Sequence, residues 1–176
     1  MQTGMDQLIE SLCEQGEYMG LSVFVSKEGK EIYQKTAGYA NWEKKIPIQK
    51  DTIFHLYSMS KPVTAVAVMK LWDDGELDLQ EPLVKYLPQF SGQKVRQDGI
   101  LAKREQEITI QDLLNMTSGI PYPDPATPEM SRLFEKAMAA ADQQNALSTM
   151  ELINVMAETP LSFQPGSKWD YGASAD

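Results

Sequence analysis

Ser58 and Lys61 stand three residues apart at the head of the run Phe54-His-Leu-Tyr-Ser-Met-Ser-Lys-Pro-Val-Thr-Ala-Val-Ala-Val-Met69. The run reads as a short apolar strand end, a turn and then a helix. Val63, Ala65, Val66, Ala67, Val68, Met69, Leu71 and Trp72 make that helix apolar almost all round, which predicts burial. A lysine leading into such a helix is expensive unless it is used or paired. Residues three apart on a helix share a face, so a helix starting near Ser58 holds the hydroxyl and the amine side by side. That is the arrangement a serine nucleophile with a lysine base requires.

A lysine amine is protonated at neutral pH, with an ordinary pKa of about 10.4. Burial and the positive end of a helix dipole both favour the neutral amine. Lys61 is therefore expected as a usable base, and the same helix N-terminus as a support for an oxyanion beside Ser58. A plainer reading stands next to this one. Ser-x-x-Lys recurs by chance, and Ser58 suits the N-cap of a helix with Pro62 near its start. The histidine count decides the choice of base. His55 is the single histidine, so a Ser-His-Asp triad would have to use it. On a strand entering the turn it reaches Ser58 poorly and reads as a packing or capping residue.

Beyond the first run, the stretch Leu71-Trp-Asp-Asp-Gly-Glu-Leu-Asp-Leu-Gln-Glu-Pro-Leu-Val-Lys-Tyr-Leu-Pro88 follows directly. Ile108-Thr-Ile-Gln-Asp-Leu-Leu-Asn-Met-Thr-Ser-Gly-Ile120 and Phe163-Gln-Pro-Gly-Ser-Lys-Trp-Asp-Tyr171 come later. In this order the four resemble the β-lactamase-related serine hydrolases: class C β-lactamases, D-Ala-D-Ala peptidases and family VIII-type esterases. Ser-x-x-Lys is that family's nucleophile motif. The resemblance covers most of the chain from residue 20 onward. It implies an α+β, β-lactamase/transpeptidase-like fold: an N-terminal helix and β-hairpin plus a helical domain, with the C-terminal sheet strands absent. It also implies an acyl-enzyme mechanism on an ester or amide, whether a β-lactam, a D-Ala peptide or an ester.

The family's second motif is Tyr-x-Asn, and Tyr171-Gly-Ala173 stands at its place. The resemblance makes Tyr171 a proton-transfer partner of the serine-lysine pair; taken alone, a tyrosine in an aromatic loop is usually structural. Ala173 replaces the substrate-binding asparagine, with Ser174 as a partial substitute. This weakens a β-lactamase assignment and favours an esterase or peptidase. The family's third motif, Lys-Thr-Gly or His-x-Gly on a later strand, has no counterpart before Asp176. The expectation is a truncated piece of a longer enzyme, inactive alone, with an open sheet edge through which copies can self-associate. A non-catalytic module that keeps the fold for binding peptides, cell-wall fragments or a protein is the competing reading.

The 176 residues suffice for one core, and a formal charge of −9 argues against nucleic acid or an anionic membrane as partner. No stretch approaches a membrane span, and the N-terminus lacks a signal-peptide pattern, which favours the cytoplasm. Cys13 is the sole cysteine. With one histidine besides, no disulfide and no cysteine-histidine metal cluster is expected, nor any cofactor.

Met5, Leu8, Ile9, Leu12 and Cys13 predict an amphipathic helix. Leu21–Lys27 and Glu31–Gly38 predict a hairpin around Glu28-Gly29-Lys30. Residues 41–49 are expected as a polar loop. Residues 91–107 read as an exposed excursion, with Lys94, Arg96, Lys103 and Arg104 solvated. Thr109 and Ser148 are N-cap candidates, the second with Glu151 as a capping box. Met130, Leu133, Phe134, Ala137 and Met138 share one helical face. Residues 1–60 are thus assigned to a helix-and-hairpin part and 61–176 to a mainly helical part, within one truncated catalytic domain.

Overall fold

The computed structural model describes residues 2–125, 127–142 and 147–176. The chain divides into two compact units, Met1–His55 and Leu56–Asp176.

In the first unit helix α1 (Gln2–Glu14) precedes an antiparallel sheet of β1 (Gly20–Lys27), β2 (Lys30–Asn41) and β3 (Ile46–Pro47), in the order β1-β2-β3. The hairpin turns on Glu28 and Gly29, with φ of 51° and 75°. Two successive left-handed residues match the twist of the flanking strands. The third strand comes from the expected polar loop, so the sheet has three strands where a hairpin was expected. Two contacts fasten α1 to β2: Tyr33 Oη donates to Asp6 at 2.7 Å, and Lys35 pairs with Glu10 at 2.5 Å. Ile9 of α1 and Ile48 are buried, and Cys13 is half-buried.

The second unit is mainly helical. Helix α2 (Lys61–Asp73) follows a 3-10 turn at Tyr57–Ser60. The expected strand end before it does not form: residues 52–56 have no regular structure. Within the described residues α2 is only partly covered. Lys61 is its one buried residue, while Val63 and Val66 are 66% and 69% exposed. Lys61, Thr64, Ala65 and Val68 form the less exposed stripe, and Val68 packs against the core.

Residues 91–107, expected as an exposed excursion, contain a second hairpin, β4 (Val95–Gln97) and β5 (Ile100–Ala102). Its turn residues Asp98 and Gly99 have φ of 50° and 78°. Val95 is 1% exposed, and the hairpin is held by Arg96 N to Leu161 O (2.8 Å) and Leu161 N to Lys94 O (2.9 Å). Arg104 is buried rather than solvated: it donates to the Phe90 carbonyl at 3.1 Å and pairs with Glu107.

Helices α3 (Ile110–Asn115), α4 (Pro128–Asp142) and α5 (Thr149–Glu158) complete the unit. Both expected caps are full capping boxes, Thr109 with Asp112 and Ser148 with Glu151. The core joins Leu83, Phe90, Val95, Ile108, Ile120 and Leu161 to Met130 and Leu133 of α4. Met138, expected on the same α4 face, lies outside the residues whose side chains are described. No helix among the described residues is long and apolar enough to cross a membrane.

Candidate active site

The turn that carries Ser58 begins with a backbone exception. Tyr57 has φ of 48°, a left-handed conformation that side-chain-bearing residues rarely adopt. Such positions concentrate where a structure holds a group in one geometry. Ser58 does not close off the helix: the flanking residues are Leu56 for the turn and Ser60 for α2, and neither makes a side-chain cap. Instead Ser58 Oγ accepts from Lys61 Nζ at 3.4 Å. Lys61 is 7% exposed, and its Nζ lies 2.7 Å from Asp176 Oδ2.

Tyr171 reaches the pair from the other end of the unit. Its segment is laced to residues 116–119 by three backbone bonds: Ser162 N to Gly119 O (2.8 Å), Gly166 N to Thr117 O (2.8 Å) and Asp170 N to Met116 O (3.1 Å). Gly172 then passes so near Ile120 that a Cβ there would stand 2.5 Å from the Ile120 carbonyl oxygen. With these fixed, the Tyr171 ring stands beside the pair, its centroid 5.1 Å from Lys61 Nζ. Ala173–Ala175 form a 3-10 turn that delivers Asp176. Ala173 and Ser174 border the same hollow as Ser58. Ser174 donates its hydroxyl proton to the Leu113 carbonyl at 3.1 Å, so that proton is committed within the fold.

The electrostatics reverse one expectation. Burial pulls the Lys61 amine towards neutrality, but the hydrogen bonds and charges of Asp176 and Tyr171 outweigh it, and the pKa is raised. That direction is opposite to the one expected from its helix position. Tyr171 moves the opposite way. Its hydrogen bond with Ser58, aided by the bond and charge of Lys61, lowers its pKa against burial and the Asp176 charge, both of which raise it. The arrangement is therefore an alcohol, an ammonium, an acidified phenol and a carboxylate in one chain of contacts.

Asp176 is the member that sequence reasoning missed. It lies five residues beyond Tyr171, and its only mark is being the one charged residue in the run Gly-Ala-Ser-Ala-Asp. Among the described residues no cluster of three or more His, Cys, Asp or Glu is gathered as a metal ion would need.

The sequence pattern of the β-lactamase family matches residues 5–176. Among curated proteins, the chain is 31% identical over 180 residues to esterase EstB of Burkholderia gladioli, covering 98% of this chain and 42% of that protein. It is 34% identical over 154 residues to acyltransferase calJ of Penicillium decumbens, covering 84% of this chain and 35% of that one. Among solved structures, EstCE1, a hydrolase with promiscuous acyltransferase activity, superposes with a TM-score of 0.75 at 27% identity, over 98% of this chain and 42% of that one. The chain thus spans about two-fifths of the length of these proteins.

Proposed function

This chain belongs to the β-lactamase family, and on that premise we propose that it carries the nucleophilic centre of a serine hydrolase acting by acyl transfer. The observation that carries the reading is the Ser58 hydroxyl 3.4 Å from Lys61 Nζ, with the Tyr171 ring centroid 5.1 Å from the same Nζ.

Ser58 is the nucleophile. The phenolate form of Tyr171, brought nearer by its lowered pKa, takes the Oγ proton as Oγ bonds to the substrate carbonyl carbon. Lys61 is the cation that stabilises the phenolate and the charge developing on the carbonyl oxygen, and Asp176 fixes its position. The carbonyl-to-leaving-group bond then breaks, and the leaving group takes the proton from Tyr171. A water molecule gives a proton to Tyr171 and attacks the acyl carbonyl. The acid departs and Ser58 regains its proton. The base role expected of Lys61 thereby passes to Tyr171.

An ester or amide, including a β-lactam or a D-Ala peptide, is the substrate class. Ala173 presents a methyl group where an amide would recognise a peptide bond, which favours an ester. Proteins bearing the activity in their names are more than twice as long as this chain, so turnover is expected of the whole protein and little of residues 1–176 alone. Among the described residues β1 pairs with β2 alone, and its other edge is where a second copy would add a strand, which light scattering reads.

The test is a fluorophosphonate probe followed by intact mass and peptide mapping on the whole protein. One adduct on Ser58, absent from Ser58→Ala, is expected. An unmodified Ser58 in folded protein refutes the reading and favours a binding module.

A further inference from the structure

Helix α3 has six residues, Ile110–Asn115, too few to stand on helix propensity alone. One side chain ties it down at both ends. Asp112 Oδ2 accepts from Thr109 N (3.0 Å) and Thr109 Oγ1 (2.7 Å) ahead of the helix. Asp112 Oδ1 accepts from Thr117 Oγ1 (2.8 Å) beyond it. Thr117 N also donates to the Asp112 carbonyl at 2.9 Å. Met116, just ahead of Thr117, takes a left-handed φ of 58°, which turns the chain out of the helix.

That turn is where the Tyr171 segment is fastened. The Thr117 carbonyl accepts from Gly166 N at 2.8 Å, and the Met116 carbonyl accepts from Asp170 N at 3.1 Å. Gly166 fits closely. Its φ is 75°, and a Cβ there would stand 2.9 Å from Gln106 Nε2 and 3.8 Å from Asp112 Oδ1. The two carbonyls hold the segment only while residues 116 and 117 keep their orientation. The bond from the Thr117 hydroxyl to a carboxylate restrains that orientation, and a charged acceptor makes it about twice as strong as a neutral one.

We propose that Asp112 is a positioning residue of the site: through Thr117 and the turn at Gly166 it sets where the Tyr171 phenol stands relative to Ser58. The proposal rests on the acyl-transfer reading above. The two arms of Asp112 separate this role from folding alone. Thr109→Ala removes the cap arm and leaves the Thr117 arm. Thr117→Val keeps the cap and the shape of the side chain, and removes the hydroxyl that meets Oδ1.

The experiment measures the rate of Ser58 phosphonylation by a fluorophosphonate against pH, on the whole protein, with urea denaturation of the same samples. Thr117→Val is expected to slow labelling about tenfold, less than the ~10²-fold of a displacement of about 1 Å at a reacting group. The rise of the rate with pH, which follows Tyr171 ionisation, is expected to move to higher pH. Ser58 and Lys61 lower the Tyr171 pKa by more than burial and Asp176 raise it, so a phenol drawn away from them moves back up. Thr117→Ala removes the same hydroxyl and is expected to behave alike, whereas Thr117→Ser keeps it and restores rate and profile. Thr109→Ala is expected to lose stability with rate and profile unchanged. Wild-type labelling and profile in Thr117→Val or Thr117→Ala, or the same slowing in Thr109→Ala, overturn the positioning role and leave the acyl-transfer reading standing. No label on Ser58 in the wild-type protein overturns both.

Discussion

At Lys61 burial and a carboxylate pull in opposite directions. The helix that follows it announces a lysine in apolar surroundings, and Lys61 is indeed buried. What the residue spacing could not announce is Asp176, more than a hundred positions away, whose carboxylate outweighs the desolvation. The pairing of Ser58 with Lys61 was legible because both lie within one helical turn. The charge on Lys61 was not, because it depends on a contact made only by the fold. Tyr171 was legible through resemblance alone, and its position rests on backbone that carries no motif. Gly172 makes this concrete. A methyl group there collides with the Ile120 carbonyl, and the cheapest relief is a shift of the Tyr171 segment. Gly172→Ala is expected to leave the far-ultraviolet circular dichroism unchanged while lowering kcat/KM about 10²-fold, the scale of a displacement of about 1 Å at a reacting group.

Among the elements, those with local signals were read correctly and those held by distant partners were not. The capping boxes at Thr109 and Ser148 follow from spacing, and both form. Asp112 does more than the pattern implies. It accepts from Thr109 N (3.0 Å) and Thr109 Oγ1 (2.7 Å), and also from Thr117 Oγ1 at 2.8 Å. Thr109→Ala should cost about 1 kcal/mol in urea denaturation of the protein. Asp112→Ala should cost more, about 2 kcal/mol, because it also releases Thr117 from the segment that holds Gly166. Equal losses would mean that the second contact contributes nothing. The β4–β5 hairpin had a signal that composition hid. Asp98-Gly99 between Val95 and Ile100 is a two-residue turn pattern, set in a run so polar that it read as a loop. For α2 the described residues cover only part of the surface. Hydropathy all round a helix predicts burial, but only the stripe through Lys61, Ala65 and Val68 is turned inward. Hydropathy reports what a surface prefers, whereas covering it takes a second layer.

For the molecule as a whole, family and fold class were open to sequence reasoning because four stretches kept their order along the chain. The division of the backbone was harder to read. The junction falls at His55–Leu56, within the irregular residues just ahead of the 3-10 turn. In the second unit the proposed layout sets the buried Lys61 amine 3.4 Å from the Ser58 hydroxyl and 2.7 Å from the Asp176 carboxylate. The direct test of that layout is the rate of Ser58 phosphonylation as a function of pH. Reaction through a Tyr171 phenolate beside a Lys61 ammonium rises as Tyr171 ionises, below the ordinary phenol range, and falls as Lys61 loses its proton, above the ordinary lysine range. The Asp176 charge raises both values, so Asp176→Asn should move both limbs to lower pH. A neutral Lys61 acting as the base would instead make the wild-type rate climb through the lysine pKa with no alkaline decline, and that result would contradict the mechanism.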